Sequence, residues 1–235
     1  MNQNRFTLWY FAVAIIFIIL ENLDLVFPSL IFKALIIPSL MVYYHFTVRG
    51  RYDMFHRLIM TGLFFSWLGD VILQLADGNF TNKFSTDLFF IAGLSSFLIT
   101  HLIYFIGFSL PKGKNSVFNT RLYQIFLVVL YGSIMLYYLY RSLGDMKIPV
   151  IAYTLIILLM LLSALNRYGK VNGLSYILVV MGAMLFVISD TLIAINKFHM
   201  KINFAGTMIM ITYVTAQYLI VLGCIRQNIL STKKD

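Results

Sequence analysis

Apolar residues run along this chain in eight long stretches, near 6–20, 28–46, 57–76, 87–110, 122–140, 148–165, 174–195 and 203–225, separated by short polar breaks. Most stretches hold about 20 residues, the length an α-helix needs to cross roughly 30 Å of hydrocarbon. The breaks carry turn-forming and charged residues: TVRGRYD at 47–53, DGNFTN at 77–82, PKGKNS at 111–116, SLGDMK at 142–147, NRYGKVNG at 166–173 and KFHMKIN at 197–203. None is long enough for a soluble domain. The pattern predicts an all-α integral membrane protein, one polytopic domain over residues 1–235 built as a bundle of about eight transmembrane helices. The first stretch follows Arg5 as a signal peptide would, but it ends in Leu20, Glu21, Asn22 and Leu23 with no small-x-small cleavage pattern, and is read as the first helix.

Composition sharpens the picture, since 60% of the residues are apolar, 11% are charged and the mean hydropathy is +0.86, beyond what a soluble domain can bury. Basic residues near helix ends stay cytoplasmic. With eight helices, one face receives Arg5, Arg49, Arg51, Arg57, Lys112, Lys114, Arg121, Arg167, Lys170, Arg226, Lys233 and Lys234, twelve in all. The other receives five: Lys83, Arg141, Lys147, Lys197 and Lys201. Both termini are therefore expected in the cytoplasm, of the cell or inner membrane if the chain is bacterial. The net charge of +9 is accounted for by this topology and by anionic lipid, with no nucleic-acid partner required. The single cysteine, Cys224, lies inside the last apolar stretch and excludes disulfides within the chain and a cysteine metal cage.

Ionisable groups inside the spans carry the functional signal, because each costs about 2.5–3.5 kcal/mol at the bilayer centre. Four stand out: Lys33, Asp70, His101 and Asp190. On the third span Gly62, Ser66, Asp70 and Gln74 recur every four residues and form one small or polar face; Gly93, Ser96, Thr100, Tyr104 and Gly107 do so on the fourth, and Gly206, Tyr213, Gln217 and Cys224 on the eighth. For the glycines and serines, helix packing is the plainer reading. Packing does not need a carboxylate in hydrocarbon, so the two aspartates point to function. Lys33 is read either as a counter-ion or outward-reaching side chain or as part of the site, and His101 either as a structural histidine or as a proton carrier or ligand.

GLFFSWLGDVIL at 62–73 matches GAMLFVISDTLI at 182–193, each with Gly eight residues before Asp. Each is followed by a span that begins with Gly and carries polar positions, Gly93 with His101 and Tyr104, then Gly206 with Tyr213 and Gln217. The match points to a duplicated four-helix unit whose copies run the same way through the membrane. Asp70 and Asp190 would then lie at one depth, about 9 Å from the outer ends of their spans, with Lys33 at a similar level. One polar pocket is the expectation.

At these residues the chain resembles the YhhN-type lysoplasmalogenases, membrane hydrolases of the vinyl ether bond of lysoplasmalogens. The resemblance lies in FKALIIP at 32–38, GLFFSWLGDVIL at 62–73, GLSSFLITHLIYFIGF at 93–108, GAMLFVISDTLIAINKF at 182–198 and YVTAQYLIVLG at 213–223, in that order. Thr100 stands before His101 where a small residue, usually Gly, is expected. The resemblance implies that Asp70 and Asp190 are the family's two membrane aspartates, that the substrate is a lysophospholipid in the membrane, and that no metal or other cofactor is needed.

Vinyl ether hydrolysis begins with protonation of the β-carbon and passes through an oxocarbenium ion that water captures. As in glycoside cleavage, one carboxyl group donates the proton and another, ionised, stabilises the cation or activates water. Burial and a neighbouring carboxylate both favour keeping one proton on such a pair. Asp70 and Asp190 are the expected acid and base, in either order. Ser66 and Ser189 are placed to hold them, Lys33 to meet one aspartate or the substrate phosphate, and His101, Tyr104, Tyr213 and Gln217 to line the deeper pocket. A metal site of Asp70, Asp190 and His101 is disfavoured, since His101 falls about fourteen residues into its span. No GxSxG or HExxH motif supports nucleophilic or zinc chemistry. The alternatives are hydrolysis of other ether lipids or lysophospholipids, and proton-coupled transport.

Overall fold

The computed structural model describes residues 2–77, 83–113 and 121–229. Lys114, Lys233 and Lys234, most of the DGNFTN break and half of the PKGKNS break lie outside the described residues. Among those described, the chain forms eight long helices: α1 Gln3–Asn22, α2 Val26–Val48, α3 Met54–Asp77, α4 Lys83–Ser109, α5 Leu122–Leu139, α6 Lys147–Leu165, α7 Gly173–Phe198 and α8 Ala205–Ile225. All eight are long and apolar enough to cross a membrane. Their ends fall within four residues of the predicted stretches, and most helices run longer than their apolar core because the flanking polar residues continue the hydrogen-bond ladder into the interface. The protein is an all-α integral membrane protein.

Local chemistry fixes the ends. Asn2 caps α1 by accepting from the Asn4 N–H (3.3 Å). Asp53 caps α3, its carboxylate accepting both the His56 backbone N–H (3.0 Å) and the His56 ring nitrogen Nδ1 (2.6 Å). Partial burial pushes the Asp53 carboxyl up, but the His56 hydrogen bonds and charge outweigh it and hold the group below its ordinary value. Asp24 turns the chain between α1 and α2 at φ 56°, a left-handed conformation that aspartate tolerates.

Pro38 lies inside α2 without ending it. Proline has no N–H, so the carbonyl of Ala34, one turn earlier, loses its helical donor. In hydrocarbon no water can replace that donor. The Trp67 indole N–H of α3 takes its place, at 3.0 Å from the Ala34 oxygen. The same bond fixes the rotation of α3 against α2.

The chain divides into two compact units, Met1–Ile103 and Tyr104–Asp235, with the division inside α4 rather than in the connection after it. In the first, α2 packs against α1 and α3. The α3–α4 contact is close: Ser96 Oγ donates to the Phe65 carbonyl (2.6 Å), Thr100 Oγ1 lies 3.2 Å from the Gly62 carbonyl, and Gly69 faces the Phe97 ring. In the second unit α6 packs against α5 and α7, and the most extensive pairing is α7 with α8. There a Cβ on Gly182 would come within 2.8 Å of the Ala216 carbonyl, backbone that cannot turn aside.

These pairings extend the internal repeat. The shift of 120 residues that carries Asp70 onto Asp190 also carries α1, α2 and α3 onto α5, α6 and α7, to within three residues at every end. The same shift places Ser189 at the position of Gly69, and Ser189 meets Ile209 of α8 as Gly69 meets Phe97 of α4.

Replacing Trp67 with Phe is expected to cost about 1–3 kcal/mol, the penalty for a buried carbonyl left without a donor. Adding Pro38→Ala should recover most of it, since residue 38 then donates to Ala34 itself. Thermal unfolding in detergent of both single variants and the double variant measures the coupling. Equal losses in the two backgrounds would refute the account.

Candidate active site

In the first unit the polar face of α3 turns inward. Ser66, Asp70 and Gln74 are all buried, at 0%, 3% and 5% exposure. Asp70 sits seven residues from the end of α3, about 10 Å along its axis. Lys33 reaches this face from α2. Its ammonium donates to Gln74 Oε1 at 2.8 Å and lies 5.5 Å from the centre of the Phe17 ring, while Gln74 Nε2 donates to Ser29 Oγ at 3.4 Å. The outward-reaching alternative for Lys33 is thereby removed, because a side chain 8% exposed with these partners is an interior cation. Gln74 stands one turn beyond Asp70 on the same face, so the charge of Lys33 is delivered beside the carboxylate's stripe. His101 is fully buried on α4, next to Thr100, which holds the Gly62 carbonyl.

In the second unit Asp190 is partly open, and Tyr153 of α6 donates its hydroxyl proton to Asp190 Oδ2 at 2.5 Å. Next to it, Thr191 Oγ1 and the Tyr131 hydroxyl of α5 lie 2.5 Å apart. Ser189 departs from the role expected of it. Its hydroxyl donates to the Ile209 carbonyl of α8 (3.2 Å), so its one proton goes across the helix pair instead of to the neighbouring carboxylate. Tyr104 and Gln217, expected separately as lining residues, are brought together: the Tyr104 hydroxyl donates to Gln217 Oε1 at 3.0 Å, with both side chains fully buried. Tyr213 is also buried and meets Phe186 edge to face, ring centres 5.4 Å apart.

Two features escaped the sequence. Tyr153 carries no charge to mark it in the sequence, yet a signal is present: it precedes Asp190 by 37 residues, as Lys33 precedes Asp70. Arg167, read as a topogenic loop charge, is fully buried. It donates to Ser175 Oγ (2.8 Å) and lies 5.4 Å from the Phe108 ring centre, while Ser175 donates to the Gly223 carbonyl (2.7 Å). It knits the ends of α6, α7 and α8. Lys170 nearby is 8% exposed, and burial lowers its pKa.

An apolar groove of about 740 Å³ lies between α1 and α2, lined by Phe6, Trp9, Pro38, Val42 and Phe46 among others. Helical periodicity puts these α2 positions on the face opposite Lys33, so the groove is separate from the polar face. Among the described residues, no group of three or more His, Cys, Asp or Glu gathers that could hold a metal ion.

A family model described as the YhhN family matches residues 29–224 of the chain. The chain is 30% identical over 175 residues to lysoplasmalogenase TMEM86A of Bos taurus, covering 72% of this chain and 66% of that protein. It is 31% identical over 147 residues to lysoplasmalogenase TMEM86B of Homo sapiens, covering 61% of this chain and 57% of that protein. The chain thus spans less than two thirds of the length of these relatives. No solved structure matches it.

Ser189→Ala is expected to lower stability by about 0.5–1.5 kcal/mol, the net worth of one hydrogen bond, and to leave the Tyr153–Asp190 contact in place. A melting curve in detergent, with the tyrosine environment followed by ultraviolet resonance Raman, reads both. A changed Tyr153 signal would return Ser189 to the carboxylate.

Proposed function

Because the chain belongs to the YhhN family, we propose that it is an intramembrane hydrolase that cleaves the vinyl ether bond of lysoplasmalogens, with Asp70 and Asp190 sharing the acid and base work. The observation that carries the reading is the pair of aspartates at matching positions of a duplicated helix, each inside a span, with Tyr153 of the preceding helix donating to Asp190 and Lys33 of the preceding helix donating to Gln74, one turn from Asp70. Relatives with about 30% identity bear the name lysoplasmalogenase. A membrane carboxylate is costly unless it works or is paired, and this reaction uses two.

The chemistry needs a proton donor near the β-carbon of the enol ether, an anion near the developing oxocarbenium ion, and one water. The products are a fatty aldehyde and a glycerophospho-base. Lys33 supplies positive charge that suits a carboxylate on α3 or a substrate phosphate. His101, Tyr104, Tyr213 and Gln217 are the proposed pocket lining, with Ser66 behind Asp70. The Tyr104–Gln217 bond favours a structural share in that lining, since the hydroxyl proton of Tyr104 already has its acceptor. The unbroken α2 through Pro38 speaks against the interrupted helices common in transporters. Both termini are proposed to be cytoplasmic, on the distribution of Lys and Arg.

Asp70→Asn and Asp190→Asn are each expected to reduce aldehyde release from an alkenyl lysophospholipid by about 10²–10⁴-fold, with unchanged melting temperature. Mass analysis of products from alkenyl, alkyl and acyl lysophospholipids sets the substrate class. Full activity in either variant would end the two-aspartate proposal, and acyl cleavage alone would move the enzyme to another lipid bond.

A further inference from the structure

The groove between α1 and α2 takes no part in the polar face of α3, and its form is specific. On α2 its walls include positions 35, 38, 39, 42, 43 and 46, the three-and-four spacing of a single helix face, and on α1 they are Phe6 and Trp9. The two aliphatic hydroxyls of the lining are spent on their own helix: Ser39 Oγ donates to the Ile36 carbonyl at 2.6 Å and Thr47 Oγ1 to the Tyr43 carbonyl at 2.7 Å. What remains is largely hydrocarbon and ring surface, and Trp9, Leu35, Val42 and Phe46 are exposed in the folded chain. An apolar cavity of about 740 Å³ does not hold water, so inside a bilayer it takes an apolar occupant.

Length and width narrow the choice of occupant. From position 35 to position 47 the groove follows α2 for twelve residues, about 18 Å at 1.5 Å per residue. One leaflet fills half of roughly 30 Å of hydrocarbon, so the groove is about one leaflet deep, the reach of a single acyl chain. Across its width stand Phe6, Trp9 and Phe46, with the Phe6 and Tyr43 rings stacked at 4.0 Å. A partner helix seated here would have to pass these large side chains, whereas helices that associate in lipid meet through small ones. A flexible chain threads between rings.

The mouth of the groove supplies charge. Arg5 precedes Phe6 on α1, Arg49 follows Thr47 by two residues, and Arg51 closes the short turn Arg49–Arg51; all three are exposed. Arg57, also exposed, stands in the first turn of α3 at the same end. The one carboxylate among the described residues at this end of α1, α2 and α3 is Asp53, and it already accepts two bonds from His56. We propose that the groove is a binding site for an anionic phospholipid, with one acyl chain lying along α2 from Phe46 to Leu35 and the phosphate headgroup meeting Arg5, Arg49 and Arg51.

Two forces act differently at this site. Burial of the chain sets where the lipid lies and is blind to the headgroup. The arginines choose the headgroup, each basic side chain near the surface favouring anionic lipid by about fivefold. Headgroup preference at the groove is therefore the signature of the site. Lys33 points from the opposite face of α2, so occupancy of the groove is independent of the hydrolytic reading and is measured without turnover.

The test uses Trp9 as reporter in the full chain, reconstituted in phosphatidylcholine vesicles that carry increasing fractions of brominated-chain phosphatidylglycerol or brominated-chain phosphatidylcholine. Bromine quenches indole fluorescence on contact, and the chain's other tryptophan is Trp67, so subtracting the signal of Trp9→Phe isolates the groove. Half-quenching of Trp9 is expected at a mole fraction of the anionic lipid about 10-fold or more below that of phosphatidylcholine, and the preference should fall to within about twofold in the triple variant Arg5→Gln, Arg49→Gln, Arg51→Gln. Equal quenching by the two lipids would overturn the proposal, as would a preference that survives the triple variant. Mass spectrometry of the chain in detergent gives a second reading: Val42→Phe, which narrows the groove at an exposed position, should lower the phosphatidylglycerol retained while leaving the melting temperature unchanged. Unchanged retention would place the lipid elsewhere and reject the site. A Trp9 that neither lipid quenches, in a chain that runs as a dimer, would assign the groove to a second copy and reject it as well.

Discussion

A carbonyl without a donor in hydrocarbon is the constraint around which this protein is arranged. Water, which forgives such a group in a soluble protein, is absent, so each interruption of a helix must be answered by a neighbouring helix. Pro38 makes the interruption and Trp67 answers it. Ser96, Ser189 and Ser175 each send a hydroxyl proton to a carbonyl of an adjoining helix, and Thr100 Oγ1 lies 3.2 Å from both the Gly62 carbonyl of α3 and the Ser96 carbonyl of its own helix. These bonds specify rotation and register where apolar packing alone is non-directional. A stripe of small residues permits close approach, and the hydroxyls within it determine which approach is taken.

Much of this was legible in the sequence because membranes simplify the code. Span length follows from bilayer thickness, and all eight helices were found within a turn or so of their ends. The Gly-to-Asp match at 62–73 and 182–193 announced the repeat. Its extent was hidden, since α1, α2 and α3 share few residue identities with α5, α6 and α7, most of them common apolar residues such as Leu35, Ile36 and Ile37 on Leu155, Ile156 and Ile157, and agree chiefly in boundaries and in the contacts they make. Helix frames are held by lipid thickness and connection length, which leave the side chains free to diverge.

The site was legible residue by residue and illegible pair by pair. Buried carboxylates in hydrocarbon advertise themselves by cost, as does a lysine among Phe, Ala and Leu. Tyrosine does not, because it is common in membrane helices as an amphipathic anchor, so its residue type alone does not single out Tyr153. Ser189 misled in the opposite direction: sequence adjacency to Asp190 counted for less than the 100° rotation between successive residues, which aims the hydroxyl at α8. Tyr104 and Gln217, 113 residues apart, could be nominated singly from polarity and joined only by the fold.

Arg167 has a consequence that belongs to the history of the chain more than to its final state. During insertion a loop arginine is exposed, and its charge helps to decide which side of the bilayer the loop remains on. In the finished protein the same guanidinium is enclosed by Ser175 and the Phe108 ring and no longer acts on lipid headgroups. A residue whose type suits a signal to the threading polypeptide is, in the folded chain, a rivet between helix ends. The set of loop charges that the sequence offers for setting an orientation is therefore larger than the set that the folded chain leaves exposed.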